Sequence, residues 1–134
     1  MTNIHHLGFV SNSLESSYYL LPNSVKSPVE IVQDQEQGNS IYIFQGLGGV
    51  GWYEVIVPMR TKTTVTNYLT RNGSGLHHLA FQVESIDIAL KELFTKQNTV
   101  ILGGYNIKIK SFGGDIRTKF IVKCGVLIEL LEVL

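Results

Sequence analysis

Short apolar runs alternate with polar, glycine-containing turns along most of the chain. The segment 106–110 alternates strictly, with isoleucines on one face and lysines on the other, which is typical of a half-buried strand. The segment 46–49, Gly-Leu-Gly-Gly, is one of several turns that end such runs. The pattern predicts strands at residues 4–10, 29–34, 40–45, 51–57, 76–83, 99–102, 106–111, 117–122 and 126–133.

Helical periodicity is confined to a few short segments. The clearest one follows Ser85, a candidate N-cap, where apolar residues recur at helical spacing. A shorter helix is predicted after the first strand and ends near Pro22, and another spans Thr63 to Arg71. The apolar positions of the clearest helix are Ile86, Ala89, Leu90 and Leu93.

The first predicted strand returns later in the chain as a similar sequence. Residues 4–10 read Ile-His-His-Leu-Gly-Phe-Val, and residues 76–83 read Leu-His-His-Leu-Ala-Phe-Gln-Val. All four histidines of the protein lie in these two segments. A helix and further strands follow each copy, so each half is predicted to be a β-α-β-β-β module.

The predicted modules cover residues 1–58 and 75–134, and residues 59–74 link them. Four strands with one apolar face make a poor solitary domain, so we expect a single domain over 1–134 in which the two half-sheets pack together. The helices would lie outside, and a cleft would lie between the concave faces. The expected fold class is therefore α+β.

Composition narrows the choice of partners. The chain has 11 basic and 11 acidic residues and no basic stripe, so nucleic acid is not an expected partner. No stretch approaches the roughly 18 to 20 apolar residues of a membrane span. Residues 1–3 lead into a strand without a signal-peptide pattern, and Cys124 is the single cysteine, which fits a reducing compartment. A cytoplasmic location is expected.

Two histidines and two glutamates occupy matching positions in the two halves. His6 corresponds to His78, and Glu54 corresponds to Glu129. A carboxylate among apolar neighbours in mid-strand needs a compensating charge, which a shared divalent cation could supply. Two nitrogens and two oxygens suit Mg, Mn, Fe, Co, Ni or Zn. Two alternatives stay open: ordinary polar strand residues, or remnants of a duplication that has lost its metal.

These segments resemble a known family. The His-His strands, the Gly-Leu-His-His-Leu-Ala-Phe run at 75–81 and the closing Gly-Val-Leu-Ile-Glu-Leu-Leu at 125–131 are similar to the vicinal oxygen chelate superfamily, which includes glyoxalases, bleomycin-resistance proteins and extradiol dioxygenases. Within it, the chain most resembles methylmalonyl-CoA epimerase-like members. The resemblance implies two βαβββ modules in tandem that form a curved mixed sheet around a central cleft. The metal-ligand positions that it implies are His6, Glu54, His78 and Glu129.

The resemblance also implies a reaction. A metal-dependent isomerase or epimerase, or a glyoxalase-type lyase, would remove a proton α to a carbonyl or acyl thioester. Glu129 is the expected base, and Glu54 is expected to be a ligand or a second proton carrier. The acid that such epimerases carry as a suspected second base falls at about Ile41 here. The expected partner is a small-molecule substrate, either an acyl-CoA or a 2-oxo compound, and relatives often form homodimers.

Two other functions are weighed against the isomerase. The first is a non-catalytic small-molecule binding protein of the same fold, like the bleomycin-resistance members, which usually lack a complete ligand set. The second is a ring-cleaving dioxygenase, which typically needs a two-histidine, one-carboxylate iron site and a longer chain. The apparently complete ligand set favours the enzyme.

Overall fold

The computed structural model describes residues 4–92, 94 and 97–134, and in this part of the chain nine strands form one sheet. Leu93 of the predicted helix and residues 1–3 lie outside the described residues. The strands are β1 Ile4–Val10, β2 Glu30–Asp34, β3 Asn39–Gln45, β4 Val50–Pro58, β5 Gly75–Gln82, β6 Thr99–Ile101, β7 Asn106–Ile109, β8 Gly114–Lys123 and β9 Val126–Val133. The helices are α1 Leu14–Ser17, α2 Thr66–Asn72 and α3 Ile86–Glu92, with a 3-10 turn at Lys110–Phe112.

The order of strands across the sheet is β2-β3-β4-β1-β5-β9-β8-β6, and β7 also pairs with β8. β1 runs parallel to β4 and β5 runs parallel to β9, while β1 and β5 are antiparallel neighbours. The two half-sheets are therefore joined by hydrogen bonds edge to edge into one sheet. The two strands that carry the histidines lie side by side at the centre of the sheet.

The predicted strand at 106–111 ends early because a turn interrupts it. Residues 110–112 form the 3-10 turn, and the Glu30 carboxylate accepts hydrogen bonds from the backbone N–H groups of Lys110 and Ser111, at 2.9 and 2.7 Å. Glu30 lies on the edge strand β2, at the other end of the sheet order. This contact brings the two ends of the sheet together, so the sheet curves around an interior.

β6 and β7 pair with the same strand and act as one interrupted strand. Both are antiparallel to β8, and the backbone between them still bonds to β8 through Leu102 and Gly103. A Cβ atom on Gly104 would collide with the carbonyl oxygen of Thr118, so only glycine fits this close approach. The Gly103-Gly104 pair therefore lies within the ladder, although a pair of glycines is typical of a hairpin turn.

The core is divided between the concave interior and the outer face of the sheet. The interior cluster combines strands from both halves, namely Ile41, Ile43, Ile109, Phe112, Ile116 and Leu131. On the outer face, a cluster with Leu21, Phe44, Tyr53 and Val55 at its centre contacts Leu14 of α1, and α3 contributes to a cluster of Ile86, Ala89, Ile121, Ile128 and Leu130. This arrangement confirms the predicted α+β class with a curved mixed sheet.

The remaining predictions concern membrane spans, module boundaries, location and oligomeric state. Among the described residues, no helix is long and apolar enough to cross a membrane. The module boundaries 1–58, 59–74 and 75–134 stay a prediction, as do the cytoplasmic location and the homodimer.

Candidate metal centre

Four adjacent strands each contribute one side chain to a single point on the concave face. His6 comes from β1, Glu54 from β4, His78 from β5 and Glu129 from β9. The strand register aligns them, because Gly8 pairs with both Glu54 and His78, while Ala80 pairs with both His6 and Glu129. The structure thus brings together all four residues that the sequence predicted as metal ligands.

The polar atoms of this cluster lie within bonding reach of a common centre. The Nε2 atoms of His6 and His78 are 3.1 Å apart. His78 Nε2 lies 3.4 Å from Glu54 Oε1 and 3.2 Å from Glu129 Oε2, and His6 Nε2 lies 3.7 and 3.8 Å from Oε2 of the same two glutamates. One ligand atom from each residue can be chosen so that all four lie within 4.8 Å of one another.

These separations fit a divalent metal ion. Nitrogen and oxygen ligands about 2.1 Å from an ion are about 3 Å apart when adjacent and about 4.2 Å apart when opposite. The five distances that involve a histidine nitrogen, 3.1 to 3.8 Å, fall in this range, and the mixed nitrogen and oxygen set suits borderline and hard divalent cations. Binding by these four residues and the identity of the metal stay predictions.

The cluster is shielded from water. His6, His78, Glu129 and Glu54 are 0, 2, 4 and 5% exposed. Two buried carboxylates that meet at one point are costly unless a positive charge lies between them. A positive charge at the centre, from either a metal ion or a protonated imidazole, would stabilise this cluster.

Without a metal, His78 supplies that positive charge. Burial alone would lower the pKa of His78, but hydrogen bonds to Glu129 and Glu54 outweigh burial and raise this pKa to about 10. Burial lowers the pKa of His6 to about 3, against the attraction of Glu54 and with the help of the neighbouring His78 charge. The metal-free cluster therefore holds one imidazolium, on His78.

The two glutamates differ in proton affinity. Burial would raise the pKa of Glu54, but the charges of His6 and His78 and a hydrogen bond with His78 lower it to about 2. Burial raises the pKa of Glu129, although His78 opposes the rise. Glu129 is therefore the better proton acceptor of the two.

A glycine makes room for the His78 ring. Gly8 lies opposite His78 in the β1–β5 ladder, and a Cβ atom on Gly8 would overlap the imidazole of His78. The corresponding position beside His6 is Ala80, which is fully buried. The difference between Gly8 and Ala80 in the two similar segments thus has a structural reason.

Aromatic rings and further histidines surround the ligand imidazoles. Phe112 stacks on His6 with a centroid separation of 5.0 Å, and Phe120 lies edge-on to His78 at 5.4 Å. His5 Nδ1 lies 2.9 Å from His6 Nδ1, and His77 Nδ1 lies 2.9 Å from His78 Nδ1. Neighbouring side chains in a strand alternate between faces, which predicts His5 and His77 on the face opposite His6 and His78, yet each ring contacts the ring of its neighbour.

The two glutamates of the cluster line a cavity of about 500 Å³. Along β4, Trp52 packs against the interior core while Ile56 lines the cavity, and Glu54 lies between them. On β9, Leu131 belongs to the core and Leu127 lines the cavity, with Glu129 between them. The site is thus closed on the core side and open on the cavity side.

The cavity wall combines apolar side chains with several acidic ones. Besides Glu54 and Glu129, the acids Asp34 and Glu36 line it, and none of its described lining residues is a lysine or arginine. Its apolar part includes Ile41, at the position where the sequence suggested a missing acid. The other polar lining residues are Gln37, Asn39, Thr64, His77, Gly103, Gly104 and Tyr105.

Tyr105 is a cavity residue that sequence reasoning missed. Burial, together with the negative charges of Glu129, Glu54 and Asp34, raises its pKa well above the usual value, so the phenol stays neutral. It faces Gln37 from the other half of the chain, and Gln37 accepts a hydrogen bond from Thr64 at 3.1 Å. This contact depends on sheet closure, and local sequence carries no signal for it.

Comparison with known proteins assigns the chain to a family. The family model described as the Glyoxalase/Bleomycin resistance protein/Dioxygenase superfamily matches residues 5–113. The protein belongs to this superfamily, as the sequence resemblance suggested.

Its similar proteins include several methylmalonyl-CoA epimerases. The mitochondrial methylmalonyl-CoA epimerase of Dictyostelium discoideum is 26% identical over 99 residues, which is 73% of this chain and 59% of that protein's length. A solved methylmalonyl-CoA epimerase in complex with methylmalonyl-CoA and NH4+ has a TM-score of 0.75 at 24% identity, over 99% of this chain and 95% of the other. The methylmalonyl-CoA epimerase of Mycobacterium tuberculosis has a TM-score of 0.73 at 20% identity, over 98 and 88%. These two structural similarities establish the shared fold.

Proposed function

We propose that the protein is a metal-dependent isomerase or epimerase that removes a proton α to a carbonyl or acyl thioester. The observation that carries this proposal is the convergence of four buried side chains, His6, Glu54, His78 and Glu129, beside a cavity that the two glutamates line. Similarity to epimerases of the same superfamily supports the same class of chemistry.

His6, His78, Glu54 and Glu129 would hold the cation. A divalent cation in this position polarises a carbonyl oxygen and so increases the acidity of the neighbouring C–H bond. The interior core packs against one side of the centre, and the cavity gives substrate access from the other side. The aromatic rings of Phe112 and Phe120 fix the two imidazoles from the sides.

Glu129 is proposed as the base. Its carboxylate faces the cavity, and burial raises its pKa toward the range in which a carboxylate accepts a proton efficiently. Glu129 would take the proton from the α carbon and return it to the same or a neighbouring atom. Glu54 has a lowered pKa and therefore suits the role of a permanent ligand better than that of a proton carrier.

The apolar wall at Ile41 bears on the kind of isomerisation. Inversion of a stereocentre requires proton carriers on both faces of the substrate, whereas transfer of a proton along the substrate can use one carboxylate. Ile41 and Ile56 line the cavity without any ionisable group. The apolar side chain at position 41 favours single-base isomerisation over inversion of a stereocentre.

The cavity also limits how a substrate could bind. A 2-oxo compound of moderate size would fit a cavity of about 500 Å³. Asp34 and Glu36 would repel polyphosphate groups, so only the acyl end of an acyl-CoA would enter the cavity. Both substrate classes stay candidates.

The first test replaces the base. Glu129→Gln keeps the size and hydrogen-bonding reach of the side chain but cannot accept a proton. We expect the metal-loaded variant to lose exchange of the substrate's α hydrogen with solvent deuterium, measured by NMR with candidate 2-oxo and acyl-thioester compounds. Glu132→Gln, on the same strand, is the control, because a glutamine can still accept the hydrogen bond from the Ile86 N–H group. Exchange that persists in Glu129→Gln would remove Glu129 from the role of base.

The second test separates the enzyme from a metal-free binding protein of the same superfamily. Protein purified without chelator is analysed for bound metal, and its melting temperature is measured with added Mn²⁺, Co²⁺, Ni²⁺ or Zn²⁺. A bound metal at 100 times its Kd stabilises the folded state by about 2.7 kcal/mol, so a clear rise in melting temperature is expected. Absence of both bound metal and any such rise would favour the binding protein.

A further inference from the structure

Each candidate ligand histidine is held through the ring nitrogen that does not face the centre. The Nε2 atoms of His6 and His78 face the cluster, and their Nδ1 atoms each lie 2.9 Å from the Nδ1 atom of the preceding histidine. The ring centroids are 5.1 Å apart for His5 and His6, and 5.2 Å apart for His77 and His78. Each centroid separation exceeds the corresponding Nδ1–Nδ1 distance by nearly the sum of the two ring radii. Each Nδ1–Nδ1 contact therefore lies along the line that joins the two ring centres.

The direction of these hydrogen bonds follows from the requirements of a metal ligand. An imidazole nitrogen that binds a cation uses its lone pair, so the proton of the neutral ring is on the other nitrogen. His6 and His78 would therefore donate from Nδ1–H. His5 and His77 must then accept at Nδ1, and their own protons must be on Nε2.

We propose that His5 and His77 are positioning residues that fix the tautomer and the ring orientation of the metal ligands His6 and His78. This proposal rests on the proposed metal-dependent function. It extends the site from two histidines to four and gives a role to both His-His pairs of the sequence.

The surroundings of the two pairs argue against a packing accident. His5 is held edge-on by Phe112, with centroids 4.7 Å apart, on the core side of the site. His77 is held edge-on by Tyr68, at 4.8 Å, and lines the cavity. The same nitrogen separation therefore occurs in two different environments. Neighbouring side chains in a strand point to opposite faces by default, so contact between them is not a consequence of strand geometry.

The choice of imidazole as acceptor also suits the charge of the site. A carboxylate behind each ligand histidine would add two negative charges to a centre that already contains Glu54 and Glu129. A neutral imidazole orients the ligand without adding charge. The charge of a bound divalent cation is then balanced by the two glutamates alone.

The test compares two substitutions at each position. His5→Asn and His77→Asn keep an acceptor oxygen close to the place of Nδ1, whereas His5→Leu and His77→Leu fill the space without an acceptor. Affinity for Co²⁺ is measured by competition with a chromophoric chelator, followed by the cobalt absorption spectrum. We expect each Leu variant to bind Co²⁺ about 10- to 100-fold more weakly, and each Asn variant to recover most of this loss.

A second measurement uses the unaltered protein and does not depend on variant folding. In zinc-loaded protein labelled with ¹⁵N, NMR correlation through the ring assigns the protonated nitrogen of each histidine. We expect His6 and His78 to carry the proton on Nδ1, and His5 and His77 to carry it on Nε2. A proton on Nδ1 of His5 or His77 would overturn the assignment for that pair.

The outcomes separate this proposal from the proposed function. If the unaltered protein binds neither Co²⁺ nor Zn²⁺, the metal-dependent function fails and this inference fails with it. If the unaltered protein binds metal, and the Leu variants bind it equally well or the Asn variants bind it as weakly as the Leu variants, only the positioning role is overturned. Melting temperatures in the presence of chelator show whether a variant has lost packing rather than ligand orientation.

Discussion

Gly8 controls the position of the His78 ring at the scale of a single residue. The ring occupies the space that any side chain at position 8 would fill. The position beside His6 holds an alanine, so the space beside the His6 ring accommodates a methyl group and the space beside the His78 ring does not. The site therefore tolerates less change on the His78 side than on the His6 side.

We predict that Gly8→Ala disturbs metal binding more than folding. The added methyl group would displace the His78 ring, and a misoriented ligand typically costs about 10- to 100-fold in metal affinity. Titration with Co²⁺ and thermal unfolding of the metal-free protein measure the two effects.

Gly75→Ala is the matched control for this change. Gly75 is also a strand glycine, but a Cβ atom there would meet open space. Its metal affinity should equal that of the unaltered protein. Equal affinities for the Gly8 and Gly75 variants would contradict the steric role of Gly8.

The residues of the candidate site differ in how far sequence could predict them. His6, His78, Glu54 and Glu129 stand out because matched positions in two similar segments mark them. Tyr105 has no such mark, because it reaches the cavity only through closure of the sheet. His5 and His77 were visible as histidines, but strand alternation gave no indication that each ring contacts the ring of its neighbour.

At the scale of elements, most strands follow the apolar pattern and the exceptions have local causes. β1 and β9 coincide with the predicted ranges 4–10 and 126–133. β7 is shorter than predicted because the Glu30 carboxylate binds the backbone of the following turn. Sequence could not show this contact, since 80 residues separate Glu30 from Lys110.

The same contact gives a prediction about how the sheet stays closed. Glu30→Ala removes two hydrogen bonds to a charged acceptor and leaves the N–H groups of Lys110 and Ser111 to water. Because Glu30 is partly exposed, we expect a loss of about 1–2 kcal/mol in the free energy of unfolding, measured with urea. The loss should shrink in acid, since these bonds hold the pKa of Glu30 below its usual value despite partial burial.

Glu84→Ala is the control for removal of one exposed negative charge, since Glu84 is exposed on the surface. It should change the free energy of unfolding by less than about 0.5 kcal/mol. Equal effects of the two substitutions would show that the Glu30 contact does not stabilise the closed sheet.

For the whole molecule, the charge of the buried cluster links folding to pH and to metal. The folded metal-free protein raises the pKa of His78 from 6.5 to about 10. Stabilisation from the protonated His78 is complete below pH 6.5 and is lost as pH rises toward about 10. Metal binding replaces that proton, so it should become stronger over the same interval.

We therefore predict that rising pH lowers the melting temperature of the metal-free protein and enlarges the stabilisation that a bound metal provides. In the presence of chelator, the melting temperature should fall as pH rises above 6.5 toward 10, the interval set by His78. With saturating Ni²⁺, the increase in melting temperature caused by the metal should grow over the same interval. His78→Gln should weaken both trends, and a metal effect that is independent of pH would contradict the displacement of a proton.

The closed core side affects how substrate and product enter and leave the centre. Phe112 and the interior cluster pack on one side of the buried centre, and among the described residues Glu54 and Glu129 open onto a cavity on the other side, so a product would leave by the cavity through which the substrate entered. Water that an incoming ligand displaces must leave past that ligand through the mouth of the cavity. The rate of product release would then limit turnover. Substitutions that widen the cavity mouth should speed release without altering the metal centre.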